Sequence, residues 1–328
     1  MKNLIVLLLF INTGMVAQEV ESRDPELKNY EYPFPVKFME FDLQQQKLKM
    51  AYMYIKADKP NGRTVTLLHG KNFNGAYWET TINALTANGY DVFVPDQIGF
   101  GKSSKPENLQ YTFQQLAENT KTVLDTLQIE ETIVLGHSMG GMLAARFALM
   151  FPHKTSQLIL LNPIGLEDWK TMVPYRNVDQ WYEREISQNY EGIKKYQKEN
   201  YYDGKWNEDY EEWAKLLAGW TKHKNYPLIA WNSALTYDMI FTQPVVYEFP
   251  DLKMPVLLII GTRDRTALGK DMASNEMKKT MGRYDKLGKT VHDIIPNSTL
   301  VELENVGHLP HIEAFEKFIT PLLEYLKK

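Results

Sequence analysis

The chain of 328 residues contains no cysteine, which excludes disulfides, thiol nucleophiles, thiolate metal sites and a lipid-attachment thiol. It has no basic excess either, since 37 Lys and Arg stand against 41 Asp and Glu for a formal charge of −4. Nothing in that balance neutralises a run of phosphates, and nucleic acid is not an expected partner. The unbroken apolar run Leu4–Ile11 covers eight residues, against the roughly 20 that a membrane-spanning helix needs. With Lys2 before it and Val16-Ala17-Gln18 after it, the run reads as the centre of a signal peptide over residues 1–17. A periplasmic or secreted chain, without stable membrane insertion once the leader is removed, is therefore expected.

Nucleotide-binding loops are missing as well. Gly101-Lys102-Ser103 ends like a phosphate-binding P-loop, but Asp96 stands where that pattern requires glycine. Gly99-Phe100-Gly101 fails as a dinucleotide loop, because Ser104 occupies its third glycine position. Internal repeats and low-complexity stretches are also lacking.

What the chain has is an apolar content of 44%, enough for one sizeable core with an insertion. After a polar stretch, the alternating segments Val36–Leu43 and Leu48–Ile55 suit an antiparallel hairpin at a sheet edge. The short apolar runs Thr64–Leu68, Asp91–Val94, Thr132–Leu135, Gln157–Leu161, Val256–Ile260 and Thr299–Leu303 suit parallel strands covered on both faces. Between most of them lie helical periodicities at Trp78–Ala87, Phe113–Leu127, Met139–Met150 and Phe315–Leu326. Such alternation predicts a doubly wound, mostly parallel α/β sheet. It stops across residues 164–250, where six of the seven tryptophans fall. That interval reads as an inserted helical cap between two parts of an α/β core, 18–163 and 251–328. Most of its aromatics are expected to pack these helices against the core, and a minority to line an apolar pocket facing the catalytic site.

The chemistry gathers at strand ends. Gly136-His137-Ser138-Met139-Gly140 lies directly between the strand Thr132–Leu135 and a helical segment, the strand–turn–helix context of a serine nucleophile. A hydroxyl raised above a sheet needs a tight turn with small neighbours. The Met139 amide, opening the helix, points where a negative oxygen forms on attack. A serine needs a base, and the base an orienting group. Asp264, in Gly261-Thr262-Arg263-Asp264, and His308, in Asn305-Val306-Gly307-His308, follow two other strands, in the chain order Ser, Asp, His. Asp96 also ends a strand and is the lesser candidate for the acid beside Asp264, since it precedes a glycine-rich turn and reads as its organiser. His137 adjoins the serine yet points the other way along the strand, a structural position. His308 and His311 do not make a metal site, because a third ligand is lacking and Pro310 breaks any helical alignment. The loop His69–Gly75 after the strand Thr64–Leu68 is the candidate source of a second oxyanion donor, from Lys71 first, or from Asn72 or Phe73.

These residues together resemble the α/β-hydrolase superfamily: His69-Gly70, the stretch from Asp96 to Ser104, Gly136-His137-Ser138-Met139-Gly140-Gly141, Gly261 to Asp264 and Gly307-His308. The likeness extends over nearly the whole mature length and is nearest to the capped branch of esterases, lipases, carbon–carbon bond hydrolases and proline iminopeptidases. Serine at 138 disfavours the epoxide hydrolase and dehalogenase branches, which place aspartate there. The resemblance implies a cofactor-free hydrolase acting on a small ester through Ser138, His308 and Asp264. A perhydrolase, acyltransferase or aminopeptidase on the same residues, or a ligand-binding protein without turnover, are the alternatives. The long segment between Asp264 and His308 departs from many relatives.

Overall fold

The computed structural model describes residues 20–328, so the leader expected at 1–17 lies outside the described residues. In chain order the elements are β1 (Val36–Leu43), β2 (Gln46–Ile55), β3 (Thr64–Leu68), α1 (Glu79–Ala87), β4 (Asp91–Pro95), α2 (Phe113–Thr126), β5 (Thr132–His137), α3 (Met139–Met150) and β6 (Thr155–Leu161). Four helices follow, α4 (Val178–Ile186), α5 (Tyr190–Asn200), α6 (Glu208–Thr221) and α7 (Tyr226–Thr242). The sheet then resumes with β7 (Val256–Gly261), α8 (Asn275–Thr280), α9 (Tyr284–Ile294), β8 (Ser298–Leu303), α10 (Pro310–Glu313) and α11 (Phe315–Leu326).

The eight strands form one sheet in the order β1-β2-β4-β3-β5-β6-β7-β8. β1 and β2 make an antiparallel hairpin at one edge, β2 is antiparallel to β4, and the remaining pairs are parallel. Every residue of β3, β5 and β7 is buried, as uninterrupted apolar strands between two helical layers must be. Along β7, Val256, Leu258 and Ile260 join the core on one face while Leu257 and Ile259 join the core on the other, the period-two alternation of a pleated strand. Helix α2 buries Phe113, Leu116, Ala117, Thr120, Val123 and Leu124, a stripe at three- and four-residue spacing. Its start is fixed by Thr112, whose side chain accepts from the Gln115 amide.

The chain leaves β3 toward β4 on one side and returns to β5 on the other, so the winding direction reverses between β3 and β5. That is where parallel α/β sheets open a crevice at their carboxyl ends. In register, Leu68 pairs with Gly136, His137 with Leu161, Ile259 with Leu161, and Gly261 with Leu303. The loops that carry Lys71, Ser138, Asn162, Asp264 and His308 thus leave neighbouring strands at one rim.

The polar segment ahead of β1 has a role that its composition did not signal. Leu27 is fully buried against Leu216, Trp220 and Ile229 of the inserted helices, and Trp220 donates to the Asp24 carbonyl. Tyr32 donates to Asp96, so this segment ties α6 to the core.

Candidate active site

Ser138 stands at the turn between β5 and α3 with φ 57° and ψ −123°, a left-handed conformation that a residue with a Cβ adopts only when its surroundings impose it. The surrounding glycines show what imposes it. A Cβ on Gly136 would lie 2.0 Å from the Gly140 carbonyl oxygen, one on Gly140 would lie 2.2 Å from the Leu68 oxygen, and one on Gly141 would lie 2.4 Å from the Pro163 Cβ. Helix α3 therefore starts in direct backbone contact with the end of β3, and its first turn is aimed at the crevice. Ser138 keeps 7% of its surface exposed there.

The Ser138 hydroxyl lies 3.0 Å from Nε2 of His308, and Nδ1 of His308 lies 2.6 Å from Oδ2 of Asp264. With Nδ1–H donating to the carboxylate, Nε2 is left as an acceptor for the hydroxyl proton. Asp264 is wholly buried. Burial alone raises a carboxyl's pKa, but here the imidazole of His308, its hydrogen bond, the Asn162 amide at 3.0 Å and the Thr266 amide at 2.8 Å hold Asp264 below its usual range.

Asn162 was not singled out from the sequence, where it is an ordinary residue after β6. Its φ is 37°. Its Nδ2 donates to Asp264, and its Oδ1 accepts from the Gly261 amide at 2.8 Å. Replacing Asn162 by alanine orphans a buried amide and removes one donor from the carboxylate. The expected loss is about 1–3 kcal/mol of stability and about ten-fold or more in kcat. A depressed carboxyl stabilises the fold above its unfolded-state pKa and loses that contribution as pH falls through the folded-state value. Asn162→Ala raises the folded value, so acid unfolding followed by circular dichroism should begin at higher pH than in wild type.

His137 is structural, as its strand position implied, and it connects two loops of the site. The Gly70 amide donates to the Tyr77 hydroxyl at 3.0 Å, that hydroxyl meets Nδ1 of His137 at 3.1 Å, and Nε2–H of His137 donates to the His308 carbonyl at 2.8 Å. Burial, reinforced by the neighbouring His311 and His308, pushes the His137 pKa well below its ordinary value, which keeps the ring neutral for this bridging role. The ring of Tyr201 stacks on His308 at 4.9 Å between centroids. The Gly307 amide donates to Glu313, which pairs with Arg263. The imidazole is thereby fixed from several sides.

Asp96 is the loop organiser expected of it, accepting from the amides of Gly75 and Lys102 and from Tyr32. His69 accepts from the Gln97 amide through Nε2 and donates to the Gly70 carbonyl through Nδ1. His311 stacks on Trp78 at 4.5 Å. Neither of its nitrogens has a hydrogen-bond partner among the described residues, and burial lowers its pKa to about 3.

The loop after β3 lies beside Ser138, since a Cβ on Gly70 would sit 3.0 Å from the Ser138 Cβ. The Phe73 amide donates to the Gly70 carbonyl at 3.2 Å and is not free to bind an oxyanion. The amides of Lys71, Asn72 and Met139 make no backbone or side-chain hydrogen bond among the described residues. Of the three loop donors considered, Lys71 and Asn72 remain. Ser138 and His308 open into a cleft of about 390 Å³ that also touches Lys71, Trp169, Tyr201 and Tyr237. A second cavity of about 320 Å³ among the inserted helices shares Lys71, Arg184, Tyr196 and Tyr237 with it. Trp169 and Trp220 line these spaces, whereas Trp181 packs under Tyr237 and Trp213 packs against Phe73 and Tyr77.

Residues 63–315 match the family model described as the alpha/beta hydrolase fold. The chain is 49% identical to a probable hydrolytic enzyme from Pseudomonas aeruginosa PAO1, whose crystal structure superposes with a TM-score of 0.93 over 94% of this chain and 99% of that one. It is 25% identical over 288 residues to the uncharacterized hydrolase YugF of Bacillus subtilis (strain 168), covering 84% of this chain and 93% of that protein. An esterase from Exiguobacterium antarcticum, 21% identical with a TM-score of 0.67 over 89% of this chain and all of that one, shares the fold.

Proposed function

The chain belongs to the alpha/beta hydrolase family, and we propose that it works there as a serine hydrolase cleaving a small carboxylic ester through an acyl-enzyme on Ser138. One observation carries the reading: Ser138, His308 and Asp264 stand in an unbroken hydrogen-bonded line of 3.0 Å and 2.6 Å, with Ser138 and His308 lining an open cleft and Asp264 buried behind them.

Each group has a defined part. As the Ser138 oxygen attacks the carbonyl carbon, its proton passes to Nε2 of His308, and the buried Asp264 carboxylate stabilises the imidazolium that results. The carbonyl oxygen takes the negative charge and is received by the amide of Met139 at the start of α3 and by that of Lys71, with Asn72 as its neighbour. A donor of this kind contributes about 3 kcal/mol to the transition state in serine hydrolases. The imidazolium then gives its proton to the departing alkoxide, and water repeats the sequence on the acyl-enzyme. The cleft suits a substrate with an apolar or aromatic part lying against Trp169, Tyr201 and Tyr237.

The test is pre-steady-state hydrolysis of p-nitrophenyl acetate by the leader-free protein. A burst of one nitrophenolate per chain, followed by slower turnover, is the expected result. Parallel assays with an aminoacyl p-nitroanilide and with acetate plus hydrogen peroxide separate the alternatives. Faster anilide cleavage would replace the ester reading by an aminopeptidase, and peracid formation outrunning ester hydrolysis would replace it by a perhydrolase. A folded protein that turns over none of these substrates would favour a binding protein. Export of the mature chain remains part of the proposal, resting on the sequence of residues 1–17.

A further inference from the structure

The cleft beside Ser138 has a charge that the chain as a whole does not. The full sequence is acidic, with a formal charge of −4. The cleft is lined by five cationic side chains, Lys71, Arg184, Arg265, Lys270 and Lys278, against one carboxylate, Asp271. That carboxylate is already committed, to Arg176 at 2.8 Å and Arg184 at 3.4 Å. Low-dielectric walls carrying one sign of charge focus the field and concentrate ions of the other sign.

Of these cations, Lys71 is held by two contacts. Its Nζ donates to the Ser233 hydroxyl at 2.6 Å and lies 3.5 Å from the centre of the Tyr237 ring. Among the described residues it forms no ion pair with a carboxylate. Ser233 passes its own proton donation to Glu185 at 2.6 Å, so the nearest acid is reached only through a hydroxyl. Burial lowers the Lys71 pKa to about 8, with Glu185 opposing the shift and Arg184 adding to it. A half-buried ammonium with donors to spare lies at the junction of the Ser138 cleft and the inner cavity, and Arg184 lines both spaces as well. A half-buried cation with few partners is a binding feature for an anion.

We propose that the ester cleaved at Ser138 carries a free carboxylate, held by Lys71 and Arg184 where the cleft meets the inner cavity. This deepens the Ser138 reading and rests on it for the position of the ester bond. The carboxylate would complete the unused donors of the ammonium and bond to the guanidinium, leaving the ester carbonyl to face Ser138. Neutral esters of the same length would leave both cations without that compensation.

The experiment measures binding rather than turnover, using the full mature chain with Ser138→Ala. Monomethyl adipate is compared with methyl adipamate, its neutral counterpart of the same shape, by titration calorimetry or ligand-observed NMR. The hemiester should bind about ten-fold more tightly or better at low ionic strength. The gap should narrow as salt is raised. In Ser138→Ala/Arg184→Met it should fall to about three-fold or less, and Arg184→Lys should restore part of it by returning the charge. Equal binding of the two ligands, no detectable binding of the hemiester, or a preference indifferent to both salt and Arg184→Met would overturn the proposal. Failure of the underlying reading shows differently: if Ser138→Ala retained wild-type ester turnover, the nucleophile would be misassigned while the anion preference could still be read.

Discussion

Ser138→Ala is expected to lower kcat on p-nitrophenyl esters by roughly 10⁵- to 10⁶-fold, the loss seen when the nucleophile of a serine hydrolase is removed. A residual rate above that of water should persist, because the free amides of Met139 and Lys71 and the shape of the cleft are untouched. Stability should hardly change. Alanine has the same Cβ at φ 57°, so the backbone strain is neither relieved nor increased. Only one side-chain hydrogen bond, to His308, is lost, a net effect of about 1 kcal/mol. The combination of a very large kinetic effect with a melting temperature within a few degrees of wild type distinguishes a nucleophile from a residue that merely supports the turn.

Gly140→Ala should do the reverse and strike the fold first. The added Cβ would fall 2.2 Å from the Leu68 carbonyl oxygen and 2.7 Å from that of His69. Both are backbone atoms at the end of a buried strand that pairs with β4 on one side and β5 on the other, so they have nowhere to move. Overpacking a well-filled core commonly costs 1–3 kcal/mol, and a clash with fixed backbone belongs at or beyond the upper end, about 3 kcal/mol or more. For a domain of this size that corresponds to a fall in melting temperature on the order of 10 °C. Because the clash lies where α3 meets the loop after β3, beside Ser138, activity should fall in the fraction that still folds. A thermal melt of Gly140→Ala matching wild type would mean that α3 does not begin in contact with β3.

The two effects share a cause, and it bears on what could be read from the sequence. Gly136, Gly140 and Gly141 are recognisable because a serine turned out of a strand into a helix needs bare backbone on three sides. The parallel strands were equally legible, since runs such as Val256–Ile260 must be apolar on both faces once helices cover the sheet. The sequence reading stops two residues short at β5 and at β6, where polar residues such as Thr155 and His137 continue the ladder while buried. Asn162 escaped notice because its work is done by side-chain geometry at φ 37°, and no spacing rule marks a lone asparagine after a strand. Leu27 was missed for a related reason: a single apolar residue in a polar segment has no period, yet a pocket between Leu216, Trp220 and Ile229 accepts it. The relay from Gly70 through Tyr77 and His137 to His308 joins positions up to 238 residues apart in sequence number, which only the sheet order brings together. Phe73 could be set aside as an oxyanion donor only once its amide was seen bound to Gly70.

The proposed hydrolysis depends on activation of the Ser138 hydroxyl by the His308–Asp264 pair. The decisive measurement treats the folded protein, residues 18–328, with a fluorophosphonate and maps the adduct by tryptic mass spectrometry. One phosphonyl group per chain is expected, on Ser138, with labelling abolished by Ser138→Ala and slowed on the order of a thousand-fold or more by His308→Ala. An adduct on another residue, or wild-type protein that stays unlabelled while its melting curve shows it fully folded, would rule out Ser138 as the activated nucleophile.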